Sequence, residues 1–180
     1  MKKVLLSILF LCMVVLLAGC SSKKVIEEKI KGNCKATECI TKIGVKDTLD
    51  EVNEIIGFDG TLKKEEDNYK TYKWDVSKSS SVEVTFYDNG KDDISIKFNK
   101  ETVKDENVNF ANIDEIKELV NTGKMSYETF VEKAGGVEGT LIQKSFYTKK
   151  YLWYNSSSKY LIGEFSEITG MCTLVTGYNE

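Results

Sequence analysis

Hydrophobic and polar positions change rhythm along this chain, and each rhythm predicts a different element. Residues 4–17 are apolar almost throughout, behind Lys2 and Lys3, and the run closes on Leu17-Ala18-Gly19-Cys20. Beyond a polar stretch the spacing becomes helical. Thr48-x-x-Glu51 opens a segment with Val52, Ile55 and Ile56 on one stripe and Gly57 as its stop, the signature of a capped helix. A shorter helix is predicted ahead of it, over 38–43. Strict alternation follows in Ser81-Val82-Glu83-Val84-Thr85-Phe86, as in a half-buried strand. Asp88-Asn89-Gly90 then turns the chain, and Ile94, Ile96 and Phe98 continue the apolar face on the returning strand. Residues 61–68 and 69–76 supply two further strands.

The same order of elements recurs. Tyr72 and Trp74 correspond to Tyr151 and Trp153, Thr61-Leu62 to Thr140-Leu141, Phe86 to Phe165 and Gly44 to Gly123, all at a shift of 79 positions. The segment from Thr48 to Gly57 matches that from Ser126 to Gly135 at a shift of 78, and the odd residues fall at the element's two ends, where loops absorb them. A helix is predicted over 114–120 behind the box Asn112-x-x-Glu115, and strands over 140–148, 150–155, 160–167 and 171–178. The expected class is α+β: two tandem helix-helix-four-strand repeats forming a continuous antiparallel sheet with helices packed on one face. The expected organisation is a signal segment at 1–19, a lipidated Cys20 and tether through 33, a first repeat at 34–99, a linker at 100–111 and a second repeat at 112–180.

The opening run is shorter than the roughly 20 residues of a spanning helix, and it ends in small residues followed by a thiol. Leu17-Ala18-Gly19-Cys20 resembles the lipobox of bacterial lipoproteins. The resemblance implies cleavage before Cys20, lipidation of that thiol, and residence on the extracytoplasmic face of the cell membrane. Loss of the signal removes Lys2 and Lys3 but no acid, leaving 23 basic against 28 acidic residues, interspersed in sign. Every basic residue is lysine, so no guanidinium fork is present to read phosphates or base edges, and nucleic acid is not an expected partner.

Histidine is absent. The commonest general base near neutral pH is therefore missing, together with every Ser-His or Cys-His arrangement. An enzyme is not expected; a small envelope enzyme built on carboxylates or a Ser-Lys pair is the alternative of that class. No cofactor and no metal are expected, since Asp88-Asn89-Gly90-Lys91-Asp92-Asp93 lacks the ligand spacing of a calcium loop. Beyond Cys20 three cysteines remain, so at most one pair forms. Cys34 with Cys39 is the candidate, closing a small loop ahead of the first helix, with Cys172 as a buried thiol in the last strand.

Gly44-Val45 leading to Thr48-x-x-x-Val52 and Gly57, then Tyr72-x-Trp74 and Val84-x-Phe86-Tyr87-Asp88-Asn89-Gly90, repeated behind a lipobox, resembles the β-lactamase-inhibitor-protein-like fold. Small lipoproteins of the outer-membrane assembly type share one such unit. The resemblance covers residues 36–178 and implies a curved sheet whose concave face grips a protein partner, a β-lactamase or another exported enzyme of the envelope. Residues i and i+2 of a strand share a face, so Tyr72, Trp74, Tyr151 and Trp153 are candidate contacts. Tyr154 has the opposite parity to Trp153, so one of the two is expected at the surface. The serine- and lysine-rich loops at 77–81 and 155–159 replace the carboxylate and aromatic probes of the inhibitor family. The expected function is a membrane-anchored, non-catalytic protein-binding module, with an envelope or cell-wall assembly lipoprotein as the alternative.

Overall fold

The computed structural model describes residues 29–155 and 159–179. Cys20 and most of the loop at 155–159 lie outside them. The described chain is α+β, with four α-helices and an eight-stranded antiparallel sheet. In chain order the elements are α1 (Ala36–Lys42), α2 (Leu49–Ile56), β1 (Thr61–Glu66), β2 (Tyr69–Trp74), β3 (Ser81–Tyr87), β4 (Asp93–Lys97), a 3-10 turn (Lys100–Val103), α3 (Ile113–Asn121), α4 (Tyr127–Lys133), β5 (Thr140–Ser145), β6 (Thr148–Tyr154), β7 (Lys159–Ser166) and β8 (Cys172–Asn179). The strands follow one another across the sheet in sequence order, so every neighbour is antiparallel. The junction between the two halves is the pairing of β4 with β5, where Asp93, Ile94 and Ser95 face Ser145, Lys144 and Gln143.

Local chemistry accounts for the element ends. Thr48 accepts the amide of Glu51, and the Glu51 carboxylate accepts the Thr48 amide at 2.7 Å, so the box reads as the sequence predicts. Gly57 closes α2 with φ at 96°, a left-handed cap that disfavours any side chain. At α3 the structure departs from expectation. Asn112 makes no capping bond to its own helix; its amide donates instead to the Lys133 carbonyl at 3.3 Å, tying α3 to the end of α4. Tertiary contact wins over local capping there.

Two apolar clusters form the core. The first gathers Cys39, Ile40 and Ile43 of α1 and its C-cap with Val52 and Ile56 of α2, and sets them against Trp74, Val82, Val84 and Ile94 of the sheet. The second joins Ile116, Met125 and Phe130 to Trp153, Leu161, Phe165 and Cys172. Cross-strand register explains the choice: Trp74 opposes Val82, which opposes Ile96, while Trp153 opposes Leu161, so each set shares one sheet surface. Cys34 and Cys39 are joined by a disulfide. It ties Cys34, two positions ahead of α1, to the helix itself, since Cys39 lies within Ala36–Lys42.

The opposite surface of the sheet is polar over β1–β4. Glu83 receives Lys63 at 2.8 Å and Lys97 at 3.9 Å, and Thr71 and Thr85 share a hydrogen bond at 2.9 Å. Where β6 and β7 carry Tyr154 and Tyr160, that surface is crossed by the segment leading from β4 to α3. The Tyr154 hydroxyl donates to Glu101 at 2.5 Å, and the Asp105 amide donates to the Tyr154 carbonyl at 3.0 Å. Lys100 sits 4.0 Å above the Tyr160 ring. This residue order lets one segment serve as both connection and cover.

Candidate protein-binding surface

The aromatic pairs predicted as the contact surface are placed otherwise. Trp74 is 0% exposed and Trp153 1% exposed, each at the centre of its cluster. The physical reason lies in two glycines the pattern reading passed over. A Cβ on Gly60 would fall 2.5 Å from Trp74 Cε2, and one on Gly139 would fall 2.7 Å from Trp153 Cζ2. Each indole lies flat on a glycine backbone, which only a missing side chain permits. Each indole N–H is also satisfied inside: Trp74 donates to Asn53 at 3.0 Å and to the Phe58 carbonyl at 3.1 Å, Trp153 to the Val137 carbonyl at 2.8 Å. Tyr154 is buried too, beneath the connecting segment, so the expectation that Trp153 or Tyr154 reaches the surface is overturned. Tyr72 is half-buried against the first cluster.

Tyr151 differs from these. It lines an open cleft of about 360 Å³ with Tyr127, Phe165, Lys149, Glu167 and Met171. The Tyr127 and Tyr151 rings stand 4.6 Å apart, and Phe165 meets both edge-on. Burial pushes both phenols upward in pKa, helped for Tyr127 by Tyr151 and for Tyr151 by Glu167. They therefore stay protonated at neutral pH, as hydrogen-bond donors and not as bases. Lys149 reaches Glu167 at 3.0 Å across the rim.

This cleft adjoins a feature the sequence reading did not single out. The β5–β6 turn presents Phe146 and Tyr147, 39% and 43% exposed, with rings edge-on at 5.2 Å. Beside it the β7–β8 turn presents Ile168, 78% exposed, and then Met171. The Glu167 amide donates to the Tyr147 carbonyl at 2.7 Å, joining the two turns into one surface. Serines pin the base of each turn: Ser145 Oγ accepts from the Tyr147 and Thr148 amides, and Ser166 Oγ from the Ile168 and Thr169 amides. Lys46 lies 5.4 Å from the Phe146 ring and Lys91 5.0 Å from the Tyr147 ring. A rigid apolar and aromatic patch rimmed by lysine is the composition of an interface core with its polar border. A signal was available: Phe146-Tyr147 breaks the alternation of the predicted strand 140–148, placing adjacent aromatics on both parities.

The patch lies at one end of the sheet. In a meander alternate turns share an end, and the chain enters at the other, where the Lys31 amide donates to the Val76 carbonyl at 2.7 Å just beyond the end of β2. The seven residues of β6 separate the two ends by roughly 20 Å.

Groups that could do chemistry are arranged as follows. Cys172 is buried and its thiol is pushed up to about 11 by desolvation, leaving it protonated and inert. Lys144 is buried, and desolvation followed by Lys149 lowers its pKa; it donates no hydrogen bond to a serine among the described residues. Asp92 lies just before β4 and Asp93 opens it. Burial raises both carboxyls, while the Tyr87 amide donates to Asp92 at 3.0 Å. Among the described residues no group of three or more His, Cys, Asp or Glu could hold a metal ion, and no helix is long and apolar enough to cross a membrane. No protein-family model matches the chain, and no curated protein or solved structure matches it significantly.

Proposed function

We propose that this protein is a lipoprotein held at the extracytoplasmic face of the membrane through Cys20, and that its domain is a non-catalytic module that binds a protein partner. The single observation that carries the reading is the patch of Phe146, Tyr147, Ile168 and Met171, exposed together on two serine-pinned turns. An exposed apolar cluster with a lysine rim loses free energy to water until a partner covers it. Its position supports the same reading. The chain enters the domain at the end opposite the patch, so an anchor at Cys20 aims the patch away from the lipid. The site is thus the end of the sheet and its neighbouring cleft, with Tyr151 as the one aromatic from the Tyr-x-Trp pairs that contributes.

The two halves are read as copies of one helix-helix-four-strand unit, with helices on one sheet surface. What supports this is detail repeated at a shift of 79: the bulge between Leu62 and Lys64 recurs between Leu141 and Gln143, and each tryptophan lies on its own glycine. A β-lactamase-inhibitor-like role belongs to the same proposal. The test is a titration of residues 21–180 against a panel of β-lactamases, following a chromogenic substrate. Stoichiometric inhibition that is lost in the Tyr147→Ala, Ile168→Ser double variant assigns both partner and surface. Inhibition that survives the double variant removes the patch from the account.

A further inference from the structure

The sheet ends on β8, and among the described residues nothing pairs with its outer edge. Its sequence, Cys-Thr-Leu-Val-Thr-Gly-Tyr-Asn, has no charge and no proline. Free edges are ordinarily guarded by charge, bulges or proline, because an open row of amides and carbonyls recruits another strand. The other edge of this sheet differs in charge, β1 carrying Lys63, Lys64, Glu65 and Glu66, while both edge strands have a bulge, as does β5, which pairs on both its sides. The contrast between the two edges is the first observation.

The second is that the chain already contains a partner for an edge of this kind. β8 occupies the place of β4: Ile94 opposes Val84 and Val175 opposes its counterpart Gly163, a shift of 81 after the irregularity in β8, and β4 pairs antiparallel with β5. There α1 packs across β3, β4 and β5, lying over the junction. α3 packs on β8, with no further strand beyond it. Ile96 and Leu141 pack on the first cluster from the two sides of the internal junction. Leu62, the counterpart of Leu141, is 45% exposed on β1, and Val175, the counterpart of Ile94, packs on the second cluster.

Resting on the reading of the halves as copies, we propose that the protein associates head to tail with a second copy of itself. β8 of one copy adds antiparallel to β1 of the next, in the register of β4 with β5. Leu174, Val175 and Thr176 then face Glu66, Glu65 and Lys64 of the next copy. α3 covers Leu62 of that copy as α1 covers Leu141. A two-fold pairing of β8 with β8 is disfavoured because it brings two α3 helices over one junction. A head-to-tail contact leaves an unused edge at each end, so it extends to further copies unless the rotation closes.

The test uses the full chain in its native membrane, with single cysteines at Leu174→Cys and Glu66→Cys under mild oxidation. Both side chains are exposed, 51% for Leu174 and 52% for Glu66, so neither change disturbs the core. Wild type, with its buried Cys172, sets the baseline. The double variant is expected to give a ladder of dimers, trimers and larger species. Co-expressed single variants are expected to give a dimer only, and each single variant alone none. A homodimer of Leu174→Cys alone, an adduct with a different protein, or no adduct in any combination overturns the proposal. Crosslinking of Leu174→Cys to Lys64→Cys in place of Glu66→Cys overturns the register, and with it the equivalence of the halves while the edges still meet. Separate scoring of the β-lactamase titration keeps the binding role independent of this result.

Discussion

Removing the two indoles is the perturbation whose cost follows most directly from the packing. An aromatic of this size buries about 200 Å². At about 25 cal/mol per Å² that is about 5 kcal/mol against an extended chain, and about 3–4 kcal/mol against a compact denatured ensemble. Trp74→Ala also leaves the Asn53 amide oxygen and the Phe58 carbonyl without the indole N–H, and Trp153→Ala does the same to the Val137 carbonyl. Each orphaned acceptor adds about 1 kcal/mol. Trp74→Ala is therefore expected to lose about 5–6 kcal/mol and Trp153→Ala about 4–5 kcal/mol, the upper end for such truncations. The rings sit in different clusters, so the losses add to about 10 kcal/mol, comparable with the whole stability of a domain this size. The assay is urea unfolding followed by far-UV circular dichroism, with the remaining tryptophan of each single variant as a fluorescent reporter. The double variant is expected to lack a cooperative transition. If it unfolds cooperatively with a loss under about 2 kcal/mol, the indoles do not carry the core and the reasoning about their glycine platforms is wrong.

Gly60→Ala and Gly139→Ala are each expected to cost about 1–3 kcal/mol in the same titration, because the new methyl falls within 2.5–2.7 Å of an indole held on its other sides. Replacing both Cys34 and Cys39 by alanine is expected to lower stability by about 2 kcal/mol, the loop-entropy value for a closure this short; an unchanged urea midpoint would contradict it. Asp92 has a raised carboxyl in the fold, so its contribution is fully present below pH 3.8 and fades as pH rises through its folded pKa. Asp92→Asn keeps the acceptor for the Tyr87 amide. It is expected to match wild type at pH 3 and to exceed it modestly, by up to about 1 kcal/mol, at neutral pH; thermal melts across pH 3–7 check the sign.

How much of this was legible depends on whether local chemistry or tertiary contact decides. The Thr48–Glu51 box, the Asp88-Asn89-Gly90 turn and the alternation of β3 are local, and those elements stand within a few residues of their predicted bounds. Parity showed that Tyr72 and Trp74 share a sheet surface. It carries no information on which surface faces the helices, and the indoles were therefore placed outside. Gly60 and Gly139 held the missing information, since a glycine beside a strand start makes room for a large ring. Burial of Tyr154 depends on where residues 100–110 cross the sheet, which no local pattern encodes. The patch was missed because Phe146 and Tyr147 read as the end of a strand, whereas the chain turns there without glycine, on the Ser145 hydroxyl.

The central claim is that this protein binds a protein partner through the end of the sheet that points away from its anchor. A photo-crosslinking residue placed singly at Tyr147, Ile168, Lys73 and Thr85 in living cells tests it most directly, because the first two positions lie on the patch and the last two on the polar sheet surface. The account predicts one discrete protein adduct, shared by Tyr147 and Ile168 and absent from Lys73 and Thr85. Adducts at Lys73 and Thr85 with none at the patch, or no protein adduct at any of the four, would contradict it.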